Sequence, residues 1–343
     1  MSRSQIIFIR ADANSHIASG HMMRCLTIAS ALRRKGHQAT FLISDKDSEA
    51  VLTSRGESSF VCLHSNYQNL EEELPLLLPL LYEKKPDCFL LDSYFASPSY
   101  MQAVKSCCKL VYLDDLQSFA YPAHLIINYD LTANAAMYGN TPSLTGVSYT
   151  PLREQFKGVP YQVREQVKNL LISTGGSDNH HAASQIFHAV IGHKDFAPYL
   201  HTCHILTGSM NPHKEALYRL SEDYPQITVH ENITEMAALL SSCDLAFSAG
   251  GTTLFELCSV GVPTVSFSLS DEQFPCVHAF EEEGLIPYAG DVRAGNLFVE
   301  NLLKEGTRLA KEPAYRRELS SLMRRFVDGN GADRIAEALT NDL

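Results

Sequence analysis

Ile6–Gly36 reads IIFIRADANSHIASGHMMRCLTIASALRRKG. Ile6, Ile7, Phe8 and Ile9 form a short apolar run of the kind a buried parallel strand uses. A polar loop follows and ends at Gly20. Met22, Cys25, Leu26, Ala29 and Leu32 then recur at helical spacing, and Gly36 stops the helix. The order is strand, loop, helix, so the loop lies at the carboxyl end of the strand, where open α/β sheets bind ligands. The first-turn amides of such a helix lack partners within it and suit an anion. His21 stands in that turn, directly after a glycine that lets the backbone come close. An imidazole there is a candidate general base or phosphate ligand. Its plain alternative is capping or packing.

Outward from this stretch the pattern repeats. Strands are expected at His37–Ser44, Phe60–Leu63, Cys88–Asp92, Lys109–Leu113 and His124–Asn128, with helices near Asp45–Arg55, Leu70–Lys85 and Pro98–Cys107. Repeated β-α units predict a parallel, doubly wound sheet with right-handed crossovers. Tyr129–Arg164 is rich in Tyr, Thr, Gly, Pro and Asn and weakly periodic, so it reads as an excursion and a linker. The second half restarts the pattern. Strands are expected at Asn169–Ser173, Thr202–Thr207, Ile227–His230, Leu245–Ser248 and Pro263–Leu269. The expected helices are one ending near Gly192, then Pro212–Glu222, Asn232–Cys243, Thr252–Val260 and Asp271–Glu283. From about Asn296 onward the chain reads as mostly helical.

In that half, Gly175-Gly176-Ser177-Asp178 follows a strand and opens a helix, and Ser248-Ala249-Gly250-Gly251-Thr252-Thr253 repeats the arrangement two strands later. Small residues there let backbone amides approach phosphate. Two such loops suit a nucleotide diphosphate. In the first half, Asp92 and Asp114-Asp115 end strands and face the ligand end of the sheet. Capping of the following segments is the competing use of these acids.

Composition bounds the partners. The 343 residues are 45% hydrophobic and 20% charged, which describes an ordinary globular chain long enough for two domains. A formal net charge of -11 without a basic run argues against nucleic acid. Nine cysteines without a C-x-x-C pair point to a reducing, cytoplasmic setting. The N-terminal apolar run is too short for a signal peptide. Leu74–Leu81 (LPLLLPLL) is too short to span a bilayer, so a core-facing helix is expected, with membrane docking as the alternative. Neither Asn179-His180-His181 nor His201-Thr202-Cys203-His204 has metal-ligand spacing, so no metal is expected.

The combination Arg10-Ala11-Asp12, polar loop, Ser19-Gly20-His21-Met22-Met23-Arg24-Cys25-Leu26 resembles the N-terminal signature of the PseG/SpsG group. These are UDP-sugar hydrolases of the pseudaminic acid pathway, related in fold to MurG-type glycosyltransferases. The segment Ser248–Pro263 is similar to the nucleotide-binding motif shared by both groups. Asp92-Ser93-Tyr94, Asp114-Asp115 and Tyr149–Phe156 resemble further family segments, as does Asp328–Ala336, where Gly331 is read as opening the last helix. One departure is visible: the family's Asn-Gln pair near the sugar is matched by Ser270-Asp271-Glu272-Gln273, which keeps the glutamine but is acidic at the asparagine.

The resemblance implies an α/β protein of the GT-B class, with two Rossmann-like domains facing across a cleft. The expected domains are residues 1–160, residues 161–315, and tail helices at 316–343 that can pack back on the first domain. His21 is implied as the catalytic residue. Asp12, Gly20, Asp92, Tyr94, Asp114 and Gln273 are the expected substrate-binding residues. Gly175, Gly176, Ser177, Gly250, Gly251, Thr252 and Glu256 are expected at the nucleotide, with Glu256 on the ribose diol. The implied reaction is hydrolysis of a UDP-linked 2,4-diacetamido-2,4,6-trideoxy sugar at the anomeric carbon, with inversion, by a monomer without cofactor, nucleic-acid partner or stable membrane association. A glycosyltransferase using the same donor, or a non-catalytic nucleotide-sugar binder, are the alternatives.

Overall fold

A computed structural model describes residues 3–14, 17, 20–176, 178–208 and 211–341. Its contacts divide the chain into two units, Met1–Glu154 with Asn330–Leu343, and Gln155–Gly329.

The first unit contains β1 (Ile6–Arg10), α1 (Gly20–Arg34), β2 (Gln38–Ile43), α2 (Lys46–Ser54), β3 (Phe60–Cys62), α3 (Leu74–Lys84), β4 (Cys88–Leu91), α4 (Pro98–Lys105), β5 (Lys109–Leu113), β6 (Leu125–Asn128) and β7 (Ser143–Thr145). Among the described residues its sheet runs β3-β2-β1-β4-β5-β6-β7. Every pairing is parallel; Ile9, for example, lies opposite both Phe41 and Leu90. Side chains alternate across a strand, so β1 feeds two cores. Ile7 and Ile9 pack with Met22, Cys25 and Ile28 of α1 on one face. Phe8 joins Leu77 and Leu81 of α3 on the other. Burial on both faces explains why these strands read as unbroken apolar runs. The chain builds outward from β1 to β3, then returns to place β4 on the other side of β1. The loops after β1 and β4 therefore diverge, which opens a crevice at the carboxyl ends of these two strands.

α3 is core-facing through Leu77 and Leu81, while Leu76 and Tyr82 are exposed. No helix among the described residues is long and apolar enough to cross a membrane.

The second unit contains β8 (Asn169–Ser173), α5 (Ala182–Gly192), β9 (Thr202–Thr207), α6 (Lys214–Asp223), β10 (Ile227–Glu231), α7 (Met236–Ser242), β11 (Leu245–Ala249), α8 (Thr252–Val260), β12 (Thr264–Ser268), α9 (Phe274–Glu282), β13 (Tyr288–Asp291), α10 (Asn296–Lys311) and α11 (Pro313–Phe326). Its sheet, β10-β9-β8-β11-β12-β13, is also parallel, with its reversal between β8 and β11.

Residues 316–343 do not stay together. α11 belongs to the second unit, where the buried Arg316 donates to the carbonyls of Ala310, Arg164 and Glu165 at 2.7–3.0 Å. The next helix, α12 (Gly331–Thr340), joins the first unit and buries Ala332, Ile335, Ala336 and Leu339 in the core that α1 lines. Its opening residue must be glycine: a Cβ on Gly331 would stand 2.0 Å from the Thr150 carbonyl oxygen. The division between units thus falls at Glu154/Gln155 and Gly329/Asn330, whereas sequence patterning put it at 160 and 315. Two short edge strands, β7 and β13, were not expected from the sequence. Neither is an apolar run: they read SLT and YAGD. The helix expected from Asn232 starts only at Met236, after Asn232 adopts a left-handed φ of 56°.

Candidate functional site

The crevice of the first unit is filled with charge. His21 lies in the first turn of α1, with its side chain 7% exposed, and its Nδ1 is 2.5 Å from Oδ1 of Asp92, the residue after β4. Nδ1–H donates to the carboxylate, which leaves Nε2 as the nitrogen with a lone pair to offer. Tyr94 sets its ring edge-on to the imidazole at 4.4 Å between centroids. His21, Asp92, Tyr94, Ser93 and Asp12 line one small recess together with Ile17, Tyr67 and Phe95.

Arg24 lies one helical turn beyond His21, on the same face. Its Nε donates to Asp92 Oδ2 at 2.6 Å and its Nη2 to Oδ1 at 2.5 Å. The other edge of the guanidinium takes both oxygens of Asp115, at 2.9 and 2.8 Å. Nη1 also donates to the Tyr129 hydroxyl at 2.8 Å. Burial alone would raise the Asp92 carboxyl. The charge of Arg24 and the bonds from Arg24 and His21 outweigh that, and hold it well below the usual carboxylate range. Burial likewise opposes the charge of Arg24, and the Asp92 carboxylate overcomes it. Burial pushes the Tyr129 phenol up to about 12.

The two neighbouring aspartates separate. Asp114 turns inward, accepts the Leu116 amide at 3.0 Å and the Tyr138 hydroxyl at 2.7 Å, and stands away from the histidine. Asp115 enters the crevice. Asp12 is also engaged in the interior: it pairs with the buried Arg10 and takes the Ser44 amide at 2.8 Å and the Ser44 hydroxyl at 2.7 Å. Arg10 in turn makes a two-pronged pair with Glu73 at 2.9 Å. Gly20 opens α1 beside His21. Arg24 and Tyr129 are residues that sequence reasoning left out of the site, and of the Asp114-Asp115 pair it listed Asp114, whereas it is Asp115 that bonds to Arg24. The signal for Arg24 was its place three residues after His21; nothing marked Tyr129.

The crevice of the second unit is open. A cavity of about 600 Å³ is lined by Gly175 and Gly176 after β8, Gly250, Gly251 and Thr252 after β11, and Ser270, Glu272 and Gln273 after β12, among others. Gly250 packs so closely that a Cβ would meet Val277 Cγ1 at 2.8 Å. Gly251, at φ 148°, precedes α8 and supplies no side chain to cap it, so the first amides of α8 have no side-chain cap. α5 differs: both oxygens of the buried Asp178 accept from it, taking the amides of Ala182 at 2.7 Å and Ala183 at 2.9 Å. The helix amides expected after Gly175-Gly176 are thus already occupied, because the chain makes a further turn before α5 begins. Ser177 lies outside the described residues. Glu256 is buried on α8 and is not among the residues lining the cavity. The Gln273 side-chain carbonyl accepts the Leu269 amide at 2.8 Å, which ties the segment after β12. The acidic Asp271 pairs with Arg293 and does not line the cavity. No group of three or more His, Cys, Asp or Glu suited to a metal ion occurs among the described residues.

No family model matches the chain. Solved structures match its fold along its whole length. MurG of Acinetobacter baumannii superposes with a TM-score of 0.70 at 15% identity, covering 97% of this chain and 99% of that one. The kitacinnamycin glycotransferase gives 0.69 at 18% identity, covering 98% of each. The protein is an α/β protein with the GT-B fold. Among curated relatives, the spore coat polysaccharide biosynthesis protein SpsG of Bacillus subtilis (strain 168) is 28% identical, covering 98% of this chain and 97% of its own length. The UDP-2,4-diacetamido-2,4,6-trideoxy-beta-L-altropyranose hydrolase of Campylobacter jejuni is 25% identical, over 67% of this chain and 80% of that protein. Together these likenesses support the PseG/SpsG family, within the GT-B superfamily.

Proposed function

We propose that the protein is a UDP-sugar hydrolase acting at the anomeric carbon, on a 2,4-diacetamido-2,4,6-trideoxy sugar of the kind its Campylobacter relative is named for. The observation that carries this reading is the buried His21–Asp92 pair, which fixes the ring through Nδ1 and frees Nε2. A water at Nε2 gives up its proton as its oxygen attacks the anomeric carbon. The bond from that carbon to the phosphate oxygen breaks, and the electron pair leaves on UDP. In the second unit, the first amides of α8, which have no side-chain cap, offer positive dipoles to a diphosphate. One direct displacement inverts the centre.

Transfer of the sugar to an acceptor hydroxyl is the second reading, and the glycosyltransferases among the solved neighbours favour it. The same base would then take the acceptor's proton. The deciding experiment incubates the pure protein with a panel of UDP-sugars and follows UDP, without acceptor. Release is the expected result. UDP formed only after an acceptor is added would make the protein a transferase. Binding without turnover under either condition would remove catalysis altogether. In oxygen-18 water the label should enter the anomeric hydroxyl of the sugar; label in the β-phosphate would mean attack at phosphorus.

A further inference from the structure

α1 presents different faces to two different places. His21 and Arg24 reach the charged crevice. Met23, Thr27, Ser30 and Arg34 follow one another at helical intervals along another face. They line a second cavity of the first unit, of about 340 Å³. It shares no lining residue with the His21 recess or with the glycine-lined cavity of the second unit.

This cavity joins an apolar wall to a cationic rim. Met23 and Leu26 of α1 and the buried Leu152 form the wall. Arg33 and Arg34 of α1, Arg55 after α2, and Arg153 stand around it, against two carboxylates, Glu57 and Glu154. Both carboxylates are already engaged. Glu57 accepts from Arg33 at 2.6 Å and from the Ser59 amide at 2.8 Å. Glu154 lies 3.2 Å from Arg34, which also donates to Asp333 at 2.9 Å. Arg55 has no hydrogen-bond or ion-pair partner among the described residues. A surplus of guanidinium at one cavity stands out in a chain whose formal net charge is -11. A cleft rimmed by one sign of charge concentrates ligands of the other.

We propose that this cavity binds a small organic anion, with one carboxylate, phosphate or sulfonate group carried on an apolar body. A guanidinium fork matches the paired oxygens of such a group. The wall takes the body, and Met23, unbranched and flexible, adapts to its shape. The volume lies within the range of small-molecule sites. An inorganic anion alone would leave the wall wet, and a neutral apolar molecule would leave Arg55 unanswered. The site does not depend on the reaction proposed above.

The probe is 8-anilinonaphthalene-1-sulfonate, titrated by fluorescence into the folded full-length chain. N-phenyl-1-naphthylamine supplies the same body without the sulfonate, and inorganic sulfate supplies an anion without the body. The dye should bind saturably at one site per chain, at least about tenfold more tightly than the neutral body, as a charge-assisted contact implies. Arg55→Glu, at an exposed position, should weaken the dye by about tenfold or more and leave the neutral body unmoved. Ser30→Glu, also exposed, brings a carboxylate to the rim and should weaken the dye by a smaller factor. Near-ultraviolet circular dichroism checks folding, and if one variant does not fold the other decides. Saturating UDP should leave the dye in place. Absence of saturable binding, equal dye affinity in the folded variants, or displacement by UDP overturns the proposal. Displacement by sulfate at the concentration of the dye overturns it too, because the apolar body would then contribute nothing.

Discussion

The two units share one strand order and use it for opposite purposes. In each, the sheet grows outward for three strands, then reverses, so that the first and fourth strands of the unit frame the crevice. In the first unit the loops at that point carry His21, Asp92 and, one strand further, Asp115, and Arg24 locks them into a bonded cluster. In the second unit the equivalent loops carry Gly175, Gly176, Gly250 and Gly251 around an open cavity. Topology thus chooses the place, and loop composition chooses the chemistry. Side chains that hold one another through charge suit proton transfer, which needs a fixed geometry. Bare backbone suits a phosphate, whose charge many weak dipoles can share.

The largest effect should come from breaking the charged crevice. His21→Ala should cut turnover by at least about a hundredfold while UDP affinity stays nearly unchanged. A parallel loss of UDP affinity would mean that the division of labour between the units is not as drawn. The open crevice should respond the other way. Gly250→Ala drives a methyl group against Val277 and Gln273, and should weaken UDP binding by about 1–2 kcal/mol in calorimetry. Equal affinity would place the diphosphate elsewhere.

The smallest effect separates the units by acid. The Asp92 carboxyl is held below its ordinary value of 3.8 in the folded protein. Its contribution is complete above that value and is lost as pH falls through the depressed one, because the unfolded chain then binds the proton more readily. Urea unfolding between about pH 5 and pH 2 should therefore show stability declining with acid, and Asp92→Asn should flatten that decline. An unchanged slope would mean that other carboxylates control acid unfolding.

Much of this could be read from the chain. The Ile6–Gly36 stretch contains a strand and a helix in one line, and its apolar run and helical spacing are local signals. The glycine loops were visible for the same reason. What was hidden depended on pairing at a distance. Asp114 and Asp115 are adjacent and chemically identical, and what tells them apart is distant pairing: Arg24, 91 positions before Asp115, takes one, and Tyr138 takes the other. The use of Asp178 as a cap depended on where α5 begins, and element boundaries are weakly encoded. The edge strands β7 and β13 bury little apolar surface and so leave no run to find.

The crossing that brings α12 into the first unit also has a consequence for synthesis. Residues 331–340 leave the ribosome after all of Gln155–Gly329, yet they complete the core beneath α1. The second unit is continuous in sequence and has everything it needs as soon as it emerges. The first unit is older on the ribosome and later to close, with Ile28 and Ala29 of α1 waiting for Ile335 and Ala336. During that interval its apolar face is open to solvent and to chaperones. A fragment ending at Glu154 would keep that face exposed permanently, so soluble expression of the first unit calls for α12 to be supplied, by fusion or as a separate peptide.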